Sequence, residues 1–227
     1  MLKKLIAKVE HAVENALKGR AGIDPAQFND PVADQTSWSP LKSGGTNFCT
    51  HKMKRTAKTR IEFKTTLGAK LFSGLFAAIG LSILIGGGFT LTATDKAVEP
   101  GAVIFLGLFG AVFALVGCGL YWSMSTPTVL DASLGLYWKG RKDPTLPSNR
   151  DAMKICVELA EIHAIQLLAE YCRGSGKNSS SYWSYELNFV LHSGDRVNVV
   201  DHGNLTRIRN EAAQLADLLK LPVWDAA

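Results

Sequence analysis

Two runs without a single charge dominate the pattern of polar and apolar positions along the chain. They are residues 71–94, LFSGLFAAIGLSILIGGGFTLTAT, and 102–129, AVIFLGLFGAVFALVGCGLYWSMSTPTV. About 20 apolar residues in helical conformation, rising 1.5 Å each, cross a hydrocarbon core of roughly 30 Å. The pattern therefore predicts transmembrane helices over 71–94 and 102–124, joined by a short external loop at 95–101. The alternative is a pair of helices buried in a soluble core.

Elsewhere the periodicity changes. Leu2, Leu5, Ile6, Val9, Val13, Ala16 and Leu17 recur at helical spacing, so residues 1–20 predict an amphipathic helix. Its lysines would meet anionic headgroups if it lies on a membrane, and its apolar stripe would meet protein if it does not. Acidic residues and a short apolar stretch exclude a signal peptide. A connecting segment follows over 21–46. Residues 47–66 then read as a β-hairpin, TNFCTHKM and TRIEFKTT around the turn KRTAK.

After the second run the chain is rich in period-two alternation. PTVLD and GLYWKG form a short hairpin, and a polar loop with two prolines follows. In EIHAIQLLAEYC (161–172) the spacing fits helix and strand alike, and the clear hairpin that follows favours a strand. Tyr185, Leu187, Phe189 and Leu191 alternate up to the turn HSGDR, and Val197, Val199 and Val200 continue beyond it. Leu205, Ile208, Ala212, Leu215 and Leu219 stripe a final helix that Asn204 caps and Pro222 ends. Five strands alone leave exposed edges. With the opening hairpin they make seven strands and a C-terminal helix, the element order of a pleckstrin-homology-like domain over 47–66 and 127–227. The membrane hairpin would interrupt it between the second and third strands. A mixed α+β sheet with other pairing is the competing fold.

Charge adds orientation. The 25 Lys and Arg against 20 Asp and Glu are unevenly placed. Lys52, Lys54, Arg55, Lys58, Arg60, Lys64 and Lys70 precede the first span. Lys139, Arg141, Lys142, Arg150 and Lys154 follow the second, and Lys96 alone lies in the link. The positive-inside rule then predicts cytoplasmic termini. Cys49, Cys156 and Cys172 would be free thiols in a reducing compartment, with Cys118 in the membrane. No Cys-x-x-Cys spacing suggests structural zinc. The basic excess is modest and sits beside the membrane, which disfavours nucleic-acid binding.

Candidate chemistry is sparse. The spans hold no ionisable residue, so a proton or ion pathway has nothing to run on, and they read as an anchor. Gly74, Ala78, Ser82, Gly86 and Thr90 recur every four residues in the first. Gly107 and Ala111, and Gly110, Ala114 and Cys118, do so in the second. Such small residues let helices approach, within the hairpin or between two copies. The loop CRGSGKNSSS (172–181) departs from a P-loop at its first glycine and after its lysine. Asp201 and His202 offer a dyad for a membrane-tethered hydrolase, or merely the cap of the last helix. Trp38 and Trp224, each beside a proline, are clamps for the termini or walls of a peptide-binding groove. Tyr121 and Trp122 fit an interfacial belt.

FNDPVADQTSWSPLKSGGTNFCTHK, FKTTLGAKLF, YELNFVLHSGDRVNVVDHG and LADLLKLPVWD together resemble a family of uncharacterised bacterial two-span membrane proteins, from about residue 28 onward. The resemblance implies a bacterial inner-membrane location and no catalytic residues or cofactor. More distantly, and in fold only, the chain resembles pleckstrin-like bacterial membrane proteins. Lys54, Arg55, Lys58 and Arg60 resemble the basic pattern with which such domains hold inositol phosphates. However, a strand of about seven residues at roughly 3.3 Å each places that turn on the order of 20 Å from the headgroups. That exceeds a Debye length of about 8 Å and favours a soluble partner. The expected function is a non-enzymatic, membrane-anchored binding or scaffold protein for a protein or lipid partner. The alternative is an accessory subunit of a larger membrane complex.

Overall fold

The computed structural model describes residues 23–41, 43–93, 99–173 and 180–227. The amphipathic stretch 1–20, most of the 95–101 link and most of the 172–181 loop lie outside them. The chain is α+β, with two long apolar helices and two β-sheets.

A 3₁₀ turn (Pro25–Phe28) and a short helix α1 (Pro31–Gln35) open the described chain, capped by Asp24 and Asp30. Strands β1 (His51–Ala57) and β2 (Arg60–Thr65) follow as an antiparallel hairpin. Ile61 and Phe63 point into the core while Arg60, Glu62 and Lys64 point out, as period-two alternation requires. The turn is Lys58–Thr59, four residues later than the start of the expected KRTAK turn. Lys54 and Arg55 therefore stand on a strand.

Helix α2 (Leu67–Ala93) leaves β2 after one residue, and α3 (Pro100–Met124) returns antiparallel to it. Thr66 caps α2: its hydroxyl accepts from the Ala69 N–H at 3.3 Å and donates to the Cys49 carbonyl at 2.8 Å. Both helices are long and apolar enough to cross a membrane, and little of either is covered by protein. Leu67, Ile85, Phe89 and Leu115 are each at least 70% exposed, which a hairpin buried in a soluble core would not allow.

The helices meet along Ser73, Ala77, Gly80 and Leu84 of α2 and Gly110, Ala114 and Gly117 of α3. A Cβ on Gly80 would stand 2.3 Å from the Ala114 nitrogen, and one on Gly117 2.3 Å from the Ala77 nitrogen. Of the expected ladders, Gly110 and Ala114 lie in this seam and that of the first span does not. Gly74, Ala78, Ser82 and Gly86 face away from α3, and Gly74 and Gly86 have open space around them. Gly107 borders a 220 Å³ gap between the helices, and Ala111 is half-buried. A strict four-residue step advances about 40° per repeat on a helix of 3.6 residues per turn, so it walks off one face. Alternating steps of three and four stay on it.

Strand β3 (Thr128–Asp131) resumes the sheet beside β2, with Arg60 opposite Asp131 and Phe63 opposite Thr128. Next come β4 (Leu136–Lys139), a short helix α4 (Pro147–Asp151) and β5 (Ile155–Glu158), completing an antiparallel sheet in the order β1-β2-β3-β4-β5. The second sheet, β8-β7-β6-β9, is built from β6 (Ile162–Cys172), β7 (Tyr182–Leu191), β8 (Arg196–His202) and β9 (Val223–Ala226), with β9 parallel to β6. Helix α5 (Leu205–Leu219) closes the space between the sheets, burying Ile208, Ala212 and Leu215. The core joins Ile61, Phe63, Leu130 and Tyr137 of one sheet to Leu167, Leu187 and Phe189 of the other.

Among the described residues, nine strands thus replace the expected seven. β5 lies directly after the polar proline loop and buries only Val157 fully. β9 lies beyond Pro222, the residue expected to end the final helix, and the Pro222 carbonyl accepts from the Ile165 N–H at 2.9 Å. β3 and β4 are equally short but are joined by a tight turn, whereas β5 and β9 pair with β4 and β6 across longer separations in sequence, which no local pattern shows.

Candidate functional site

The expected binding residues are drawn mostly into the fold. Trp38 stacks on Phe28 with centroids 4.8 Å apart, and both lie 5.8 Å from Trp224, which is 2% exposed. The three rings, with Ala33, Ala164 and Val190, fasten the N-terminal segment to the outer face of the second sheet. They make a clamp. Arg60 bridges Glu62 at 2.9 Å and Asp131 at 3.2 Å and lies over the Trp138 ring. Arg55 donates to the Lys58 carbonyl at 2.6 Å, closing the turn. Only Lys54 and Lys58 keep exposed side chains without such a role.

His202 is fully buried, which corrects its reading as a hydrolytic base. Its Nδ1 accepts from the Asn204 N–H at 3.2 Å, which leaves the proton on Nε2, 3.4 Å from Glu211 Oε2. Glu211 Oε1 also accepts from the Met53 N–H at 3.2 Å, so the pair ties α5 to the edge strand β1. Asn204 caps α5 as expected, its Oδ1 accepting from the Arg207 N–H at 2.9 Å.

A polar constellation that the alternation hid lies on the outer face of the second sheet. Gln166, Glu170, Glu186 and Arg196 hold the main chain of the segment 36–46. Gln166 Nε2 donates to the Ser37 carbonyl at 3.0 Å and Arg196 to the Ser39 carbonyl at 2.7 Å. The Leu41 N–H donates to Glu186 at 3.0 Å, and the N–H groups of Gly44 and Gly45 donate to Glu170. What read as a plain connector is a strap. Among the described residues no buried side-chain polar atom lacks a partner, so the constellation is satisfied internally. Burial, and then nearby Asp201, push the Glu186 carboxyl above its usual range, although Asn188, the Leu41 N–H and Arg196 act the other way.

That shift has a testable sign. A carboxyl whose pKa is raised by folding favours the native state below the unfolded value, about 4.3, and loses this contribution as pH rises through the folded value. Glu186→Gln keeps an oxygen for the Leu41 N–H and removes the buried charge. It is expected to raise the melting temperature at neutral pH by a few degrees, with no gain at pH 4. A lower melting temperature at pH 7 would show that the charge stabilises the strap.

A further open site lies where the long helices join the first sheet. The C-terminal end of α3 is socketed by side chains: the Met124 carbonyl accepts from His51 Nε2 and the Thr65 hydroxyl, each at 2.8 Å. Burial, and to a lesser degree Lys139, hold the His51 pKa below its usual value, which suits a neutral ring donating there. Arg141 lays its guanidinium 4.0 Å over the Trp122 ring. It donates to the Trp122 carbonyl and to the hydroxyls of Thr126 and Ser125, the latter two at 3.0 and 2.9 Å. Beside this lies a cleft of about 240 Å³ between β2, the start of α2 and the end of α3, lined by Glu62, Lys64, Lys70, Tyr121, Ser125 and Thr126 among others. Lys64 pairs with Glu62 at 3.1 Å and is half-exposed; Lys70 is exposed. In the sequence these cations registered only as flanking charge. Their convergence needed the β2–β3 pairing.

Among the described residues no group of three or more His, Cys, Asp or Glu side chains is placed to hold a metal ion. Asp30, His163 and His192 do converge, but His163 spends one ring nitrogen on Asp30 at 2.7 Å and the other on His192 at 3.1 Å. No family model matches the chain, and neither does any curated protein.

Proposed function

We propose that the chain is a non-enzymatic binding protein anchored in a membrane by α2 and α3, with its two-sheet domain held against the membrane face. One observation carries the reading: β2 and β3, which enter and leave the helical hairpin, pair with each other. Whatever the hairpin enters, both halves of the domain lie on one side of it. The apolar outer surfaces of α2 and α3 ask for a hydrocarbon surrounding. The density of Lys and Arg at the domain end of the hairpin supports a cytoplasmic domain in a bacterial inner membrane. Two antiparallel meanders closed by a C-terminal helix support a pleckstrin-homology-like core, enlarged by β5 and β9. A second reading, an accessory subunit or homodimer joined through the helices, is favoured by the uncovered face of Gly74, Ala78, Ser82 and Gly86.

Single cysteines at two exposed positions test the topology, Lys58→Cys in the β1–β2 turn and Ser148→Cys in α4. Each is expected to escape a membrane-impermeant maleimide in intact cells and to react once the cells are permeabilised. Labelling of both from outside would invert the orientation. Labelling of only one would contradict a domain split across the hairpin.

A further inference from the structure

Resting on that reading, we propose that the cleft between β2, α2 and α3 binds the phosphodiester headgroup of an anionic phospholipid, with Lys64 and Lys70 as its cationic contacts. The chemistry of the walls argues for this class of ligand. Two lysines on flexible stems supply charge, and the hydroxyls of Tyr121 and Thr126 supply neutral donors around the same 240 Å³ space, while the Ser125 hydroxyl donates to the Trp122 carbonyl at 3.2 Å. Glu62, the carboxylate in the wall, is already bridged by Arg60 and Lys64. Arg141 adds a third positive charge at the rim, immobilised against Trp122 and bonded to two hydroxyls of the cleft. The ammonium of a zwitterionic headgroup would meet these three cations, whereas a net negative headgroup would not.

Position distinguishes a lipid from a soluble phosphate. The cleft opens beside an apolar collar in which Leu67, Leu71 and Trp122 are each more than 60% exposed. A ligand with a charged head and an apolar tail satisfies both surfaces. Free phosphate satisfies only the first. The site is also distinct from the β1–β2 turn, which lies at the opposite end of β2 from the helices.

The test uses the full chain reconstituted in phosphatidylcholine vesicles containing brominated phosphatidylglycerol or, separately, brominated phosphatidylcholine. Of the chain's five tryptophans, Trp122 alone belongs to a long helix, so quenching by brominated chains that disappears in Trp122→Phe reports lipid at this site. The brominated anionic lipid is expected to quench more strongly at equal mole fraction. Lys64→Gln and Lys70→Gln should each reduce that preference about fivefold, near the value of one basic residue at an anionic surface. Lys70→Arg should retain it. Lys142→Gln, in the same basic belt but outside the cleft, should change it little.

Equal quenching by the two lipids would overturn the headgroup site while leaving the membrane anchor intact. Loss of preference in Lys142→Gln as large as in Lys70→Gln would reduce the site to diffuse surface charge. Abolition of the preference by inorganic phosphate would assign the cleft to a soluble anion. Quenching by neither lipid would overturn the anchor itself.

Discussion

Gly80→Leu is expected to force the two long helices apart. The nearest atoms to the added Cβ are backbone: the Ala114 nitrogen at 2.3 Å, the Gly110 oxygen at 2.5 Å and the Ala114 Cα at 2.8 Å. None of these can swing aside as a flexible side chain would. Overpacking typically costs about 1–3 kcal/mol, and a helix crossing made of backbone belongs at the top of that range or above it. The purified protein should therefore melt well below the parent. Gly74→Leu and Gly86→Leu are the controls, because a Cβ there meets nothing within 4 Å. Both should melt like the parent. If the controls destabilise the protein while Gly80→Leu does not, the helices pack through the four-residue ladder instead. In that event the face that was assigned to a partner becomes the internal contact.

The second large effect is expected at Glu211. This carboxylate, on a residue 5% exposed, accepts from both His202 Nε2 and the Met53 N–H. Glu211→Ala leaves two donors with no acceptor, one on a fully buried ring, and each such loss costs about 1–3 kcal/mol. A total loss of about 3 kcal/mol is expected, read as a fall in melting temperature with fraying of β1 from α5 in amide exchange. Glu211→Gln retains an acceptor oxygen and should recover part of the loss. His202→Ala should destabilise to a similar degree, since it removes the ring and leaves Glu211 short of a partner. A His202→Ala protein as stable as the parent would refute the structural role given to this pair and return His202 to the catalytic candidates.

Much of this architecture was legible along the chain because its signals are long or local. Two uncharged runs exceed any ordinary core helix, and α2 and α3 follow from them almost residue for residue. β7 and β8 carry ten and seven residues, enough alternations to mark them as strands, whereas the apolar spacing of β6 fits helix and strand alike because both its faces are largely buried. Asn204 announced its cap because the hydrogen bond is made within three residues. The charge flanks likewise depend on order along the chain and need no contacts.

What the tertiary structure alone decided depends on partners far away in sequence. Arg60 looked like one more basic residue of a turn until Asp131, across the helical hairpin, proved to sit opposite it. Glu170 and Glu186 carry no sequence signal of their role, since nothing local shows that the segment around Leu41, Gly44 and Gly45 folds back over them. On α2 the seam differs from the expected one because small residues every four positions and small residues in alternating steps look alike over two turns. Only the partner backbone selects between them. Lys64, Lys70 and Tyr121 became one cleft by the same logic. The chain order determines which residues stand near the ends of the two long helices, but a cleft exists only because β2 and β3 pair and bring those ends together.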